Sequence, residues 1–257
     1  VATLASAACF AGAAQAKPDL QITKLSAPST ARAGLPVKVA TSARNAGSAA
    51  AGPSTTSFVL SKDRKPGKDT SLSPSLKVKK LKPRGTASGS VSLRLPPTVS
   101  AGPYFVIACA DSGRRVREGN EKNNCRTAAV KVPAGELGTS PGSLNFGSVD
   151  IETSEPVTRT LTVTNVGGAT LPAIDDVRPD DIGFFPSGNA CLGVSLAPGR
   201  TCEVSVDFLP SALGTQTAKL TVSAGSSSVS VNISGTGIDV VQPAVLTIDP
   251  SSQGFGS

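Results

Sequence analysis

Thr160-Leu161-Thr162-Val163-Thr164-Asn165-Val166-Gly167-Gly168 decides the fold. Its first half alternates polar and apolar residues. In an extended strand that places Leu161 and Val163 on one face and the threonines on the other. Asn165-Val166-Gly167-Gly168 then supplies turn chemistry. The stretch reads as a half-buried strand running into a tight turn.

The same grammar continues on both sides. Pro141-Gly142-Ser143-Leu144-Asn145-Phe146-Gly147-Ser148-Val149 opens the unit. Downstream, Phe184 and Phe185 precede Ser187-Gly188-Asn189-Ala190-Cys191, and Leu196-Ala197-Pro198-Gly199-Arg200-Thr201-Cys202 leads into Val204, Val206 and Phe208. Leu209-Pro210 and Gly214 mark a turn. Ala218, Leu220 and Val222 predict one strand, and Val229, Val231 and Ile233 another; Gly235-Thr236-Gly237 reads as the end. Nearer the N-terminus, apolar alternation recurs at Leu20/Ile22/Leu25, Val37/Val39, Phe58/Leu60, Val78, Val91–Leu95, Tyr104–Cys109 and Ala128/Val130/Val132. Pro96-Pro97 and Gly102-Pro103 punctuate these segments. No segment sustains a 3.6-residue apolar period. Seven short strands over 17–132 fit an immunoglobulin-like sandwich. The expected class is all-β, with tandem immunoglobulin-like β-sandwiches.

Charge divides the 257 residues in the same place. Residues 17–132 carry 21 Lys/Arg against 6 Asp/Glu, and residues 133–257 carry 4 against 12. The sign changes at the seam Val132-Pro133-Ala134-Gly135, which argues for two domains. The chain has no His, Met or Trp. A Ser-His-Asp triad and every His-containing metal site are thereby excluded. A Ser-Lys pair stays open by composition, but no Walker-type phosphate loop occurs. The sequence reads as non-catalytic.

Residues 1–16 are uncharged and end in Ala14-Gln15-Ala16, followed by Lys17-Pro18. That is the later part of a secretory signal, with cleavage expected between Ala16 and Lys17. Export to the cell surface or the extracellular space follows. Cys9 lies inside this segment. Ser6 stands where lipid attachment wants a Leu-like residue, and no stretch is apolar enough to span a membrane. Cys109, Cys125, Cys191 and Cys202 remain, and four cysteines allow three pairings. The local one puts a bridge in each domain. A four-thiolate metal site would need all four to converge across domains, and no Cys-x-x-Cys pair supports it.

Two groups of residues are candidates for binding. Lys77, Lys79, Lys80, Lys82 and Arg84 form a basic run, preceded by Lys62, Arg64, Lys65 and Lys68. Arg114, Arg115 and Arg117 form a third cluster. Such charge suits an anionic polysaccharide or a cell-wall polymer. It equally suits an exposed solubilising face that discourages edge pairing. Scarce aromatics argue against nucleic acid. Asp111, Glu118, Asn120, Glu121, Asn123 and Asn124 carry the oxygen ligands that calcium takes, but four cationic side chains intrude and the helical calcium-loop spacing is absent. Asp175, Asp176, Asp180 and Asp181 read as a solvated, Pro-containing loop. No cofactor is expected.

The ordered pieces of residues 17–132 resemble the bacterial cell-adhesion-related domain, CARDB. They are Pro18-Asp19-Leu20, Arg32-Ala33-Gly34, Asn45-Ala46-Gly47, Ala51-Gly52-Pro53-Ser54, Phe58–Asp63, Pro103-Tyr104-Phe105, Cys109-Ala110-Asp111 and Val116–Cys125. The resemblance implies a non-catalytic extracellular module and a Cys109–Cys125 bridge. Residues 140–238 resemble the abnormal-spindle/Hydin-type domain of choice-of-anchor D surface proteins. The marks are Leu144-x-Phe146-Gly147, Leu161–Gly167, Cys191…Pro198-Gly199…Cys202, Val206–Pro210 and Ile233–Gly237. This second likeness implies a Cys191–Cys202 bridge and no catalytic residue.

The tail repeats the opening of that second unit. Phe255-Gly256-Ser257 echoes Phe146-Gly147-Ser148 at a spacing of 109 residues. The expected organisation is a signal remnant (1–16), a CARDB-like domain (17–132), a linker (133–139), a second sandwich (140–238), and a linker with the first strand of a further repeat (239–257). The expected job is that of a modular spacer or scaffold in an exported surface protein. The alternative is a binding module whose basic first domain engages an anionic glycan, a wall polymer or a cell-surface protein.

Overall fold

The computed structural model describes residues 15–152 and 155–240. The leader-like stretch with Cys9 and the repeat-like tail with Phe255 lie outside the described residues. Every regular element among the described residues is a β-strand. Two units result. The first holds the chain up to Glu136 together with Asn165–Leu171 and Ser195–Arg200; the second holds the rest from Leu137.

Seven strands build the first sandwich: β1 (Leu20–Ser26), β2 (Pro36–Asn45), β3 (Ser54–Ser61), β4 (Thr70–Val78), β5 (Thr86–Arg94), β6 (Gly102–Cys109) and β7 (Cys125–Val132). One sheet has the order β1-β2-β5 and the other β4-β3-β6-β7. All five ladders are antiparallel. The alternation read from the sequence sets which face is buried. Leu20, Ile22, Val37, Val39 and Leu93 are buried from one sheet, and Phe58, Leu60, Val106, Val130 and Val132 from the other. Each such side chain contributes about 1.5–3 kcal/mol of transfer free energy.

The second sandwich adds β8 (Leu137–Ser140), β9 (Ser143–Asp150), β10 (Val157–Asn165), β11 (Asp176–Pro179), β12 (Phe184–Asn189), β13 (Thr201–Phe208), β14 (Gly214–Ala224) and β15 (Ser227–Ile238). Its sheets run β12-β13-β10-β8 and β11-β14-β15-β9. The β15–β9 pair is parallel. Phe146, Phe184 and Phe208 meet in the core with ring centroids 4.6–5.6 Å apart.

Two local expectations differ from the structure. Residues 137–139, read as linker, belong to β8. Asp176 sits in strand β11, where a loop was expected, because its backbone pairs with Ser223 of β14. Gly235-Thr236-Gly237 closes β15, the final described strand, which stops at Ile238. Glycine serves there because the Phe208 ring occupies the space a Cβ would need.

An Asn-x-Gly device ends β2 and recurs at the end of β10. Asn45 is fully buried. Its Oδ1 accepts the N–H groups of Asp19 (3.0 Å) and Gly47 (3.1 Å), and its Nδ2 donates to the Ala49 carbonyl (2.7 Å). Asn165, equally buried, accepts from Gly167 (2.9 Å) and Glu136 (3.3 Å) and donates to Ala169 and Leu196 (both 2.8 Å). At both sites the incoming backbone crosses directly over the glycine. A Cβ on Gly47 would sit 2.6 Å from the Pro18 carbonyl carbon, and one on Gly167 2.7 Å from that of Gly135.

Candidate functional site

The basic run is pinned at its apolar positions. Val78 is buried at the end of β4, and Leu81 exchanges backbone hydrogen bonds with Ala51 (2.9 and 3.0 Å). Lys77, Lys79, Lys80 and Lys82 are left exposed. Arg84 occupies a left-handed turn position (φ 64°) closed by a Gly85 N–H bond to the Lys82 carbonyl (2.9 Å).

Lys77, Lys79 and Lys80 share a concavity of about 520 Å³ with Arg115. Pro53 and Val78 supply apolar wall, and no carboxylate lines it. Two interactions bring Arg115 there. Ser112 donates its N–H to the Thr55 carbonyl of β3 (3.2 Å). The Asp111 carboxylate accepts the N–H groups of Arg115 (3.2 Å) and Val116 (2.8 Å). Like charges held side by side repel unless an anion joins them, so the concavity concentrates positive potential.

The other basic residues named from the sequence lie elsewhere. Lys62 and Lys68 line a different concavity with Asp69 and Tyr104. The Arg64 guanidinium stacks 5.1 Å above the Phe105 ring. Lys65 gives its backbone N–H to Asp63 (2.8 Å), which shapes the turn. Arg114 lines a third concavity beside Cys109 and Cys125.

The acidic group is committed to the backbone. Glu118 accepts the Leu20 N–H and the Asn124 amide (2.8 Å to the amide). Glu121 accepts the Glu118 N–H (3.0 Å), Asn120 accepts the Lys122 N–H (3.0 Å), and Asn123 donates to Asp19 (2.9 Å). The Oδ1 atoms of Asn123 and Asn124 are buried without a partner. Among the described residues no cluster of three or more His, Cys, Asp or Glu is placed to hold a metal. In the second unit, Asp175, Asp180 and Asp181 accept N–H groups of Gly225 (3.2 Å), Lys219 (2.7 Å) and Gly183 (2.8 Å). Asp176 pairs with Arg178 (3.4 Å) on the surface.

Burial pushes the Glu118 carboxyl above its ordinary range. Hydrogen bonds from Leu20 and Asn124 oppose that rise, and the Glu121 and Asp111 charges add to it. Folding therefore favours the protonated form. The stability this group confers is fully present below the usual carboxylate range and is lost as pH rises through its raised value. Glu118→Gln removes that titration. The stability of the variant relative to the parent should rise as pH climbs through and above the usual carboxylate range, read by urea unfolding at each pH. A difference that stays flat with pH would contradict the raised value.

Cys109 faces Cys125 in register across β6 and β7, with an S–S distance of 2.08 Å. Cys191 and Cys202 are joined at 2.06 Å. Gly138-Thr139-Ser140-Pro141-Gly142 has the Gly-x-Ser-x-Gly spacing of a hydrolase elbow. It runs from β8 into β9, where the elbow needs a strand followed by a helix, and the chain has no histidine base.

Sequence reading missed two features. Arg115 joins Lys77–Lys80 only through contacts distant in sequence. The clamping role of Asn45 and Asn165 was legible only as a turn; its signal was the recurrence of Asn-x-Gly after two alternating strands.

Residues 17–128 match the family described as CARDB. Among solved structures, the chain is similar to the CARDB domain of a Pyrococcus furiosus protein, described in complex with di-metal ions (19% identity, 45% of this chain and 88% of that one, TM-score 0.35). A solution structure of the same domain gives 19% identity, coverage of 46% and 96%, and TM-score 0.36. A domain of a candidate cell surface protein from Methanosarcina acetivorans gives 23% identity, coverage of 45% and 91%, and TM-score 0.35. No curated protein matches the chain.

Proposed function

We propose that the chain is a non-catalytic spacer or scaffold segment of an exported bacterial surface protein. In this reading the first sandwich is a CARDB module (17–132), and the second is a choice-of-anchor D type module (140–238). The observation that carries it is the fate of the polar side chains. The carboxylates that could build a reactive or metal site are committed to backbone N–H groups that hold turns in place. The two disulfides favour an oxidising location. Removal of residues 1–16 between Ala16 and Lys17 is part of the same proposal.

A second reading has its own observation. Lys77, Lys79, Lys80 and Arg115 converge on one carboxylate-free concavity. A linear anionic glycan or wall polymer could lie across it. One experiment separates the two readings. The full chain and a variant with Lys77, Lys79, Lys80 and Arg115 changed to Glu are run on heparin and polygalacturonate columns. A spacer gives early, identical elution of both. A binding module gives elution of the parent well above physiological salt and early elution of the variant. Strong retention of both proteins would place binding outside this concavity.

A further inference from the structure

The two disulfides differ in exposure. In the second unit Cys191 is fully buried and Cys202 half-buried. Cys125 is exposed and Cys109 half-buried, and both line a concavity of about 320 Å³ that opens on the outer face of β3 and β6. Arg114, Asp111 and Glu121 line the same concavity.

The loop that Cys109–Cys125 closes does not depend on the bridge for its shape. Asp111, 3% exposed, caps the Arg115 and Val116 N–H groups. Glu118 holds Leu20 and Asn124. Gly119 donates to the Pro18 carbonyl (2.9 Å), Asn123 to Asp19 (2.9 Å), and the Ala110 N–H to the Asn124 carbonyl (3.0 Å). The last of these bonds, with the β6–β7 ladder, spans the same two strand ends as the sulfurs. An accessible bridge whose loop is anchored independently can open without unfolding the sandwich.

We propose that Cys109–Cys125 is a thiol-exchange site of the folded protein, open to low-molecular-weight thiols, and that Cys191–Cys202 is a permanent staple. A thiolate attacks the sulfur of Cys125, the more exposed residue of the two. The S–S bond breaks, and its electron pair leaves on Cys109 as a thiolate. The product is a mixed disulfide at Cys125. A second thiolate then attacks the small-molecule sulfur of that adduct. It releases the oxidised small disulfide and a Cys125 thiolate. Two thiols lose two electrons in total and the bridge gains them.

The test treats the full native chain with reduced glutathione, traps free thiols by alkylation over time, and maps the four cysteines by mass spectrometry. The expected result is labelling of Cys109 and Cys125 about tenfold or more ahead of Cys191 and Cys202. An early glutathione adduct should appear on Cys125, with an unchanged far-UV spectrum. Equal labelling of both pairs, or labelling of Cys109 and Cys125 only in denaturant, would overturn the proposal. A first adduct on Cys109 would overturn the assigned direction of attack. The Cys109→Ala/Cys125→Ala variant gives a separate check. It should stay folded with a cooperative unfolding transition, and an unfolded variant would show that the loop anchors do not suffice.

Discussion

Asn165→Ala should lower the stability of the folded chain by about 3 kcal/mol or more. The substitution strips hydrogen-bond partners from the Gly167 and Glu136 N–H groups and from the Ala169 and Leu196 carbonyls. Gly167 and Ala169 are buried, whereas the buried Leu196 carbonyl keeps the Leu171 N–H (2.9 Å). A buried backbone group left unpaired costs about 1–3 kcal/mol, and the side-chain cavity adds to that. Asn165→Asp should do no better, although it keeps the shape. It turns a donor that serves two carbonyls into an acceptor that faces them, and it introduces a buried charge. Asn45→Ala should behave alike in the first sandwich, because Asn45 makes the corresponding bonds. Urea unfolding of the full chain reads both effects as separate shifts in midpoint. A shift worth less than about 1 kcal/mol at either position would mean that water replaces the amide without loss.

Gly235→Ala should cost about 3 kcal/mol, at the upper end of ordinary overpacking. The new methyl would fall 2.5 Å from Cδ1 and 2.7 Å from Cζ of Phe208. The ring has no room to retreat. Phe208 is fully buried, stacks on Phe184 at 4.6 Å and tilts against Phe146 at 5.6 Å. The backbone cannot shift easily either, since β15 pairs with β14 on one side and β9 on the other. A double-mutant cycle isolates the clash. Phe208→Leu alone should destabilise by leaving a void, and the pair should cost less than the sum of the single changes. Strict additivity would show that the damage at Gly235 does not pass through the Phe208 ring.

Leu161 and Val163 show how the sequence carries the strands. Each strand's face is set by alternation within a few residues, and both side chains are fully buried as that alternation requires. The turns after Asn45 and Asn165 were legible for the same reason, since turn chemistry is local. Strand β11 was not legible, because Asp176-Val177-Arg178-Pro179 has little apolar alternation of its own. Its backbone becomes a strand only because β14 offers an unpaired edge.

The same distinction separates the candidate sites. An all-β chain in two parts, basic then acidic, is legible from the residues alone. That much follows from periodicity, punctuation and charge, each summed over near neighbours. Only the tertiary structure decided which charges act together. Lys77 and Arg115 share a wall because β3 carries the Thr55 carbonyl to Ser112, whereas Lys62 and Arg64, nearer to Lys77 in sequence, point into other surroundings. It likewise decided that Asp111 and Glu118 hold the backbone, and that Cys125 is exposed while Cys191 is buried. A strand's face depends on residues two apart, but a site depends on which strands pair, and pairing is fixed by the burial of the whole core.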